Sequence, residues 1–239
     1  MSATTPGQPL IIAIDGPSGV GKTTASRLVA RALHLPHIDT GAMYRAIALA
    51  ATRAGVAVDD EPKLDAIAAA ANIDFTPGER SRVILDGEDI TDFIRTPQMS
   101  MAASHVSAVP AVRRVLVRLQ QAMGRRKGGV LEGRDIGTKV FPDTPHKFFL
   151  TARPEVRAQR RYRELLAKGN ATDLQTVLAE TIQRDTQDST RADSPLAFDE
   201  SYTVIDTSDR TIDEVVDAIV EHVSEHTLSR RAGEGAEGG

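Results

Sequence analysis

Short apolar runs rich in β-branched residues alternate along most of this chain with stretches of helical spacing. The run at 10–15 (LIIAID) predicts a compact buried strand, and 22–33 after it repeats apolar residues at helical intervals. A short strand at 37–39 leads into a helix over 40–54, and 61–71 is an Ala-rich helix. The pattern then changes. Residues 72–76, 82–86 and 89–90 predict short strands separated by Pro77-Gly78 and Asp86-Gly87 turns, a small antiparallel insertion. Helices follow at about 97–107 and 110–124, strands at 129–133, 147–151 and 202–206, and helices at 154–168, 172–190 and 211–226. Apolar strands separated by helices predict an α/β fold, a doubly wound parallel sheet of five strands. Each parallel crossover needs a helix, and that helix covers one face.

The strand at 10–15 runs directly into Gly16-Pro17-Ser18-Gly19-Val20-Gly21-Lys22-Thr23, a complete GxxxxGK[ST] pattern between a strand and a helix. Glycines let successive backbone N–H groups curl around phosphate oxygens, and the helix N-terminus adds partial positive charge. Lys22 is placed to reach the β- and γ-phosphates of a nucleoside triphosphate, and the Thr23 hydroxyl to ligate Mg²⁺. The loop predicts triphosphate binding and leaves open what is done with it.

Two patterns separate the classes that share such a loop. A switch GTPase needs DxxG and NKxD motifs; the chain has two Asn, Asn72 and Asn170, neither of which starts NKxD, and no Asp is followed by Gly three residues later. A motor or helicase is usually longer and carries a longer apolar run ending in acid than Val130-Leu131-Glu132. A phosphoryl-transfer enzyme for a small acceptor fits better, since it needs a second anion pocket and a mobile cationic lid.

Composition narrows the chemistry further. The absence of Cys excludes disulfides, thiolate metal sites and cysteine nucleophiles. A net charge of −4 argues against a nucleic-acid coat. Within the positive set, however, 23 Arg stand against 6 Lys, and guanidinium suits bidentate phosphate contact. Arg45 follows Asp39-Thr40-Gly41, Arg134 ends a strand, Arg153, Arg157, Arg160, Arg161 and Arg163 crowd one helix, and Arg184 and Arg191 flank Asp188. Arg113 to Lys127 holds six cations and no acid, but no aromatic residue that could stack a base, so no nucleic-acid partner is expected. No apolar run approaches the ~20 residues of a membrane span, and no secretory signal is visible, so a cytoplasmic location is expected. His222-Val223-Ser224-Glu225-His226 spells HxxEH near the chain end without an evident third ligand, and is read as a solvated helix. Residues 229–239, which contain a GxGxxG with neither strand before it nor helix after it, are expected to form a disordered tail, and 1–9 a flexible lead.

Four segments occur in order: IDGPSGVGK at 14–22, DTGAMYR at 39–45, EGRDIGT at 132–138 with FPD at 141–143, and RDTQDSTR at 184–191. Together they resemble bacterial cytidylate (CMP) kinases, over about residues 10–225. The resemblance implies a kinase domain at 10–228, with a monophosphate-binding insertion at about 59–108 and a helical lid at about 154–191. ATP and Mg²⁺ would be held by Gly16, Pro17, Ser18, Gly19, Val20, Gly21, Lys22, Thr23 and Thr24. It implies that Arg45 and Arg134 grip the CMP phosphate, with Thr40 beside them. Ser104, Arg113 and Asp135 would read cytosine, Arg184 and Asp188 would hold the pentose, and Arg191 would lie near the transferred phosphoryl group. Lys22, Arg134, Arg157, Arg160 and Arg191 are the expected catalytic cations, with Arg157, Arg160 and Arg161 arriving as the lid closes. Asp15, Asp39 and Glu132 are candidates for the acid that assists the metal. Thr40 departs from the Ser common in the family, and Thr23 from the Gly of some members; both keep or add a hydroxyl. CMP and dCMP are the expected acceptors, no membrane partner is implied, and a monomer is expected.

Overall fold

The computed structural model describes residues 9–76, 81–191 and 194–234, so the Pro77-Gly78 turn lies outside it, as do residues 1–8 and 235–239. Five parallel strands form the central sheet: β1 (Ile11–Asp15), β2 (His37–Asp39), β6 (Gly129–Gly133), β7 (His146–Thr151) and β8 (Thr203–Asp206), in the order β2-β6-β1-β7-β8. Both faces are covered, and β1 shows why. Ile12 and Ile14 point into one apolar cluster, with Val29 of α1 (Lys22–Ala32) and Ile219 of α8 (Ile212–Glu234). Ala13 points into the other, with Ile47 of α2 (Thr40–Arg53) and Leu116 of α5 (Pro110–Lys127). Successive strand side chains face opposite ways, so a strand buried on both sides reads as a continuous apolar run.

A second sheet of three short antiparallel strands, β3 (Ile73–Phe75), β4 (Val83–Leu85) and β5 (Glu88–Asp89), follows α3 (Glu61–Ala70). Asp86 and Gly87 both have positive φ, 51° and 86°, and connect Leu85 to Glu88 as a two-residue hairpin turn. This backbone matches the right-handed twist of the strands it joins and favours Asp-Gly. With α4 (Pro97–Val106) these strands form the expected insertion, but Ile73, Leu85, Ile90 and Ile94 belong to the same buried cluster as Ala13 and Leu131 of the main sheet. Its position is therefore set by the core. The pair α6 (Pro154–Ala167) and α7 (Leu174–Ser189) packs on itself through Ala158, Leu165 and Val177, a small cluster of its own.

Two boundaries differ from the pattern. Residues 136–140 form a single π-helical turn immediately after Asp135, which a strand-to-strand connection did not predict. The last helix continues to Glu234, past Ser229 where composition predicts a disordered tail. A helix already nucleated on the sheet extends at little cost through Leu228, Arg230, Arg231 and Ala232, all good helix formers.

Candidate active site

The residues expected to act on nucleotides gather at the carboxyl edge of the sheet, around the loop after β1. The chain leaves β1 for β2 on one side and reaches β7 on the other, and ligands in open α/β sheets bind at such a crossing. The loop itself is tightly seated. Gly16 has φ 145°, and a Cβ there would lie 2.1 Å from the Leu150 carbonyl oxygen of β7, so only glycine fits. Lys22 is buried, and its ammonium donates to the carbonyls of Gly16, at 2.7 Å, and Pro17. Burial first, and the neighbouring Arg134 charge second, hold its pKa well below the ordinary lysine value. An anion placed in the loop would oppose both effects. Thr23 and Thr24 stand exposed on the first turn of α1.

The acid beside Thr23 is Glu132. Its Oε2 accepts from the Thr23 hydroxyl at 2.9 Å, and its Oε1 pairs with Nε2 of His37 at 3.0 Å. Burial opposes the charged form of His37, but the hydrogen bond and charge of Glu132 outweigh it, and the imidazole pKa is raised. The other two candidates are occupied. Asp39 caps α2 through the Ala42 N–H and pairs with Arg45 at 2.8 Å. Asp15 points away from Thr23, towards the turn at 136–137.

Arg45, Arg134 and Arg184 lie close enough for their charges to act on one another. Arg134 Nε donates to Asp188 at 2.8 Å, and Arg191 pairs with the other oxygen of the same carboxylate, so the end of α7 is tied to the end of β6. Burial pushes the Asp188 pKa up, but Arg134, Arg191 and Arg184 together bring it below the usual carboxylate value. Arg184 is depressed to about 10, by burial first and then by the charge of Arg134, with Arg45 and Arg161 adding to it. Cations that destabilise one another in this way would be relieved by a bound anion. Arg113, buried on α5, pairs with Asp135, donates to the Ser107 carbonyl at 3.3 Å and lies over the Tyr44 ring at 5.8 Å. Ser104 is partly buried one turn away on α4, and its carbonyl accepts from Ser107 Oγ. The Thr40 hydroxyl donates to the Glu132 carbonyl at 2.7 Å, which leaves only its lone pairs for a ligand.

The lid arginines differ from the sequence expectation. Arg157 is not waiting to arrive: it is buried, bidentate with Asp185, and bonded to the carbonyls of Ala152, at 3.0 Å, and Ser18, at 3.3 Å. It joins α6 to α7 and to the phosphate loop. Arg160 donates to the Thr207 carbonyl at 2.7 Å and its hydroxyl at 3.1 Å, and that hydroxyl reaches the Val20 carbonyl. Arg161 is partly exposed, 3.3 Å from Glu164, and close enough to Arg184 to be felt electrostatically. Along one helix, spacing alone does not separate a strut from a free donor. Sequence reasoning gave no role to His37, Asp185, Tyr202 or Thr207, because their partners lie on elements distant in the chain whose packing the pattern did not specify.

The weaker motifs are absorbed by packing. His222 stacks on His226 with ring centroids 4.3 Å apart and meets Phe148 edge-on at 5.1 Å. Among the described residues no group of three or more ligating side chains could hold a metal ion, and no helix is long and apolar enough to cross a membrane. Of the basic run on α5, Arg113 is in the site, while Arg114, Arg118, Arg125, Arg126 and Lys127 are exposed.

Known proteins resemble the chain in fold and in sequence. One solved structure, an uncharacterized protein from Eubacterium ventriosum, aligns with a TM-score of 0.50 at 15% identity, covering 91% of this chain and 99% of that one, which supports the fold alone. In sequence, the chain is 52% identical over 200 residues to a cytidylate kinase of Syntrophotalea carbinolica, covering 83% of this chain and 85% of that one. It is 50% identical over 204 residues to a cytidylate kinase of Geobacter sulfurreducens, covering 85% and 88%. A bifunctional pantoate ligase/cytidylate kinase of Synechococcus is 47% identical over 208 residues, which are 85% of this chain and 38% of that longer one. The family model for cytidylate kinase matches residues 12–225. The chain belongs to the cytidylate kinase family.

Proposed function

We propose that the chain transfers the γ-phosphoryl group of ATP to a phosphate oxygen of CMP, giving ADP and CDP, with dCMP as a second acceptor. The observation that carries this reading is the pairing of two anion sites on one sheet edge. The phosphate loop with Lys22 stands on one side, and Arg45, Arg134 and Arg184 stand on the other. Beyond the second site, the buried Arg113–Asp135 pair supplies what cytosine requires: a carboxylate to accept from the amino group, and a guanidinium to donate to the ring acceptors. Ser104 completes that edge. Arg184 and Asp188 hold the pentose; a carboxylate has about four lone-pair sites, so Asp188 can accept from a hydroxyl while engaged by Arg134 and Arg191.

A phosphate monoester has its second pKa near ~6, so the acceptor is already mostly dianionic at neutral pH and needs no general base. The barrier lies in bringing two anions together. Lys22, Arg134, Arg191 and Arg160 neutralise that repulsion, and Arg157 holds the lid helix against Ser18 so that these donors stay aligned. Thr23 and the adjacent Glu132 carboxylate are hard oxygen donors of the kind Mg²⁺ takes, and they fit a magnesium ion at the mouth of the loop. Bound Mg²⁺ would neutralise charge on the ATP phosphates.

An ADP-release assay across CMP, dCMP, UMP, AMP and shikimate tests the assignment. CMP and dCMP should be turned over well ahead of the others. A preference for shikimate or AMP would mean another small-metabolite kinase.

A further inference from the structure

Asp15 ends β1 directly before the phosphate loop, yet its side-chain hydrogen bonds run to the turn at 136–137 and to Tyr202. Its side chain is fully buried, and Oδ1 accepts from the Ile136 N–H and Oδ2 from the Gly137 N–H, both at 2.9 Å. These two amides open the π-helical turn after Asp135. The first N–H groups of any helical turn have no partner within the turn, and a carboxylate on the adjacent strand β1 supplies it here. A third bond fixes the carboxylate itself: the Tyr202 hydroxyl donates to Oδ2 at 2.8 Å. Tyr202 lies just before β8 and is buried, with its ring edge-on to Phe149. Gly137 passes so close that a Cβ there would be 2.5 Å from the Tyr202 oxygen. Lys147 lies over the ring at 5.8 Å and donates to Ser201 at 3.1 Å.

We propose that Tyr202, acting through Asp15, is a positioning residue for the acceptor nucleotide. It fixes the backbone at 135–137 and with it the Arg113–Asp135 pair that reads the base. The proposal rests on the base-reading role assigned to Asp135 above. The groups are in the protonation states this needs. Burial, with Asp15 beside it, pushes the Tyr202 phenol far above its usual pKa, so it stays a donor. Burial raises Asp15 only to about 6, so at neutral pH it remains a carboxylate that accepts all three bonds.

Tyr202→Phe removes one hydroxyl and keeps the ring. Losing one buried hydrogen bond that orients the loop should weaken CMP binding about fivefold, read as Kd by calorimetry without ATP and as KM in turnover. The KM for ATP should stay within about twofold, and the CMP-to-UMP ratio of kcat/KM should fall. Asp15→Asn, whose amide would present N–H to one of the two N–H donors, should shift the same quantities further in the same direction. An unchanged CMP Kd in Tyr202→Phe, or equal losses for CMP and ATP, would overturn the proposal. Asp135→Asn separates the two levels. If it lowers the CMP-to-UMP ratio while Tyr202→Phe leaves CMP binding intact, base reading stands and the latch falls. If Asp135→Asn leaves the ratio unchanged, base reading falls and the latch with it.

Discussion

A buried ammonium held by loop carbonyls is stable only until something more negative enters, and Lys22 is in that position. Lys22→Ala should therefore lower kcat about a hundredfold or more while leaving CMP affinity within about twofold, because the proposed role puts its charge at the transferring phosphoryl and not at the acceptor base. Steady-state turnover beside calorimetric CMP binding separates the two effects, and unchanged turnover would remove Lys22 from the catalytic set. Asp135→Ala tests the other end of the site. It should reduce the CMP-to-UMP ratio of kcat/KM, since a site with a buried carboxylate rejects a base that cannot donate to it. It also leaves Arg113 buried without its acid, so about 3–5 kcal/mol of stability should be lost, visible in the Tm. The lysine was legible in the sequence because its motif is contiguous. The Glu132–His37 pair was not, because it depends on β2 lying beside β6, with Asp39 opposite Glu132 in register, and no local signal specifies that neighbour.

Elements were legible where one period ran long enough to be read. The apolar run of β1, the Ala-rich α3 and the Asp86-Gly87 hairpin each follow from local chemistry, and each falls within a residue or two of the pattern. The π-helical turn at 136–140 was hidden because its amides are satisfied by Asp15, more than a hundred residues earlier, and not by neighbours in the sequence. The lid gives a comparable case. Its helices were readable, but the clip that seats them, Arg157 with Asp185, joins α6 to α7 across the hairpin. Asp185→Asn removes half of that clip and leaves the Arg157 guanidinium buried, at a cost of about 1–3 kcal/mol. Faster amide exchange in α6 and α7 is expected, with an ATP KM raised several-fold and CMP binding little changed. Equal protection of the lid in both proteins would show that Val177 and Leu165 seat it without the clip.

At the scale of the whole molecule, Asp39 and Asp188 on one hand and Asp15 on the other have opposite effects on stability. Asp39 and Asp188 are held below the ordinary value: burial works against them, but Arg45 in one case and Arg134 in the other outweigh it. Their contributions are present above about pH 4 and are lost as the pH falls through their folded values. Asp15 runs the other way. Burial raises it from 3.8 to about 6, only partly offset by the bonds from Gly137 and Ile136. Between these two values the native chain holds a proton that the unfolded chain has released, so stability falls as the pH rises through the window and levels off above about 6. The displacement corresponds to about 3 kcal/mol, on the order of a third of the stability of an ordinary domain. Holding an ionised Asp15 at neutral pH is thus a cost to the fold, and the loop it orients at 135–137 is what that cost maintains. Asp15→Asn lacks the titration. The stability of the wild-type chain relative to Asp15→Asn should therefore decline between pH 4 and 6.5 and stay level from there to pH 8, measured by urea unfolding at each pH. A difference that stays constant across the acid window would mean that Asp15 is ordinary in its ionisation and that its bonds to the loop carry no electrostatic cost.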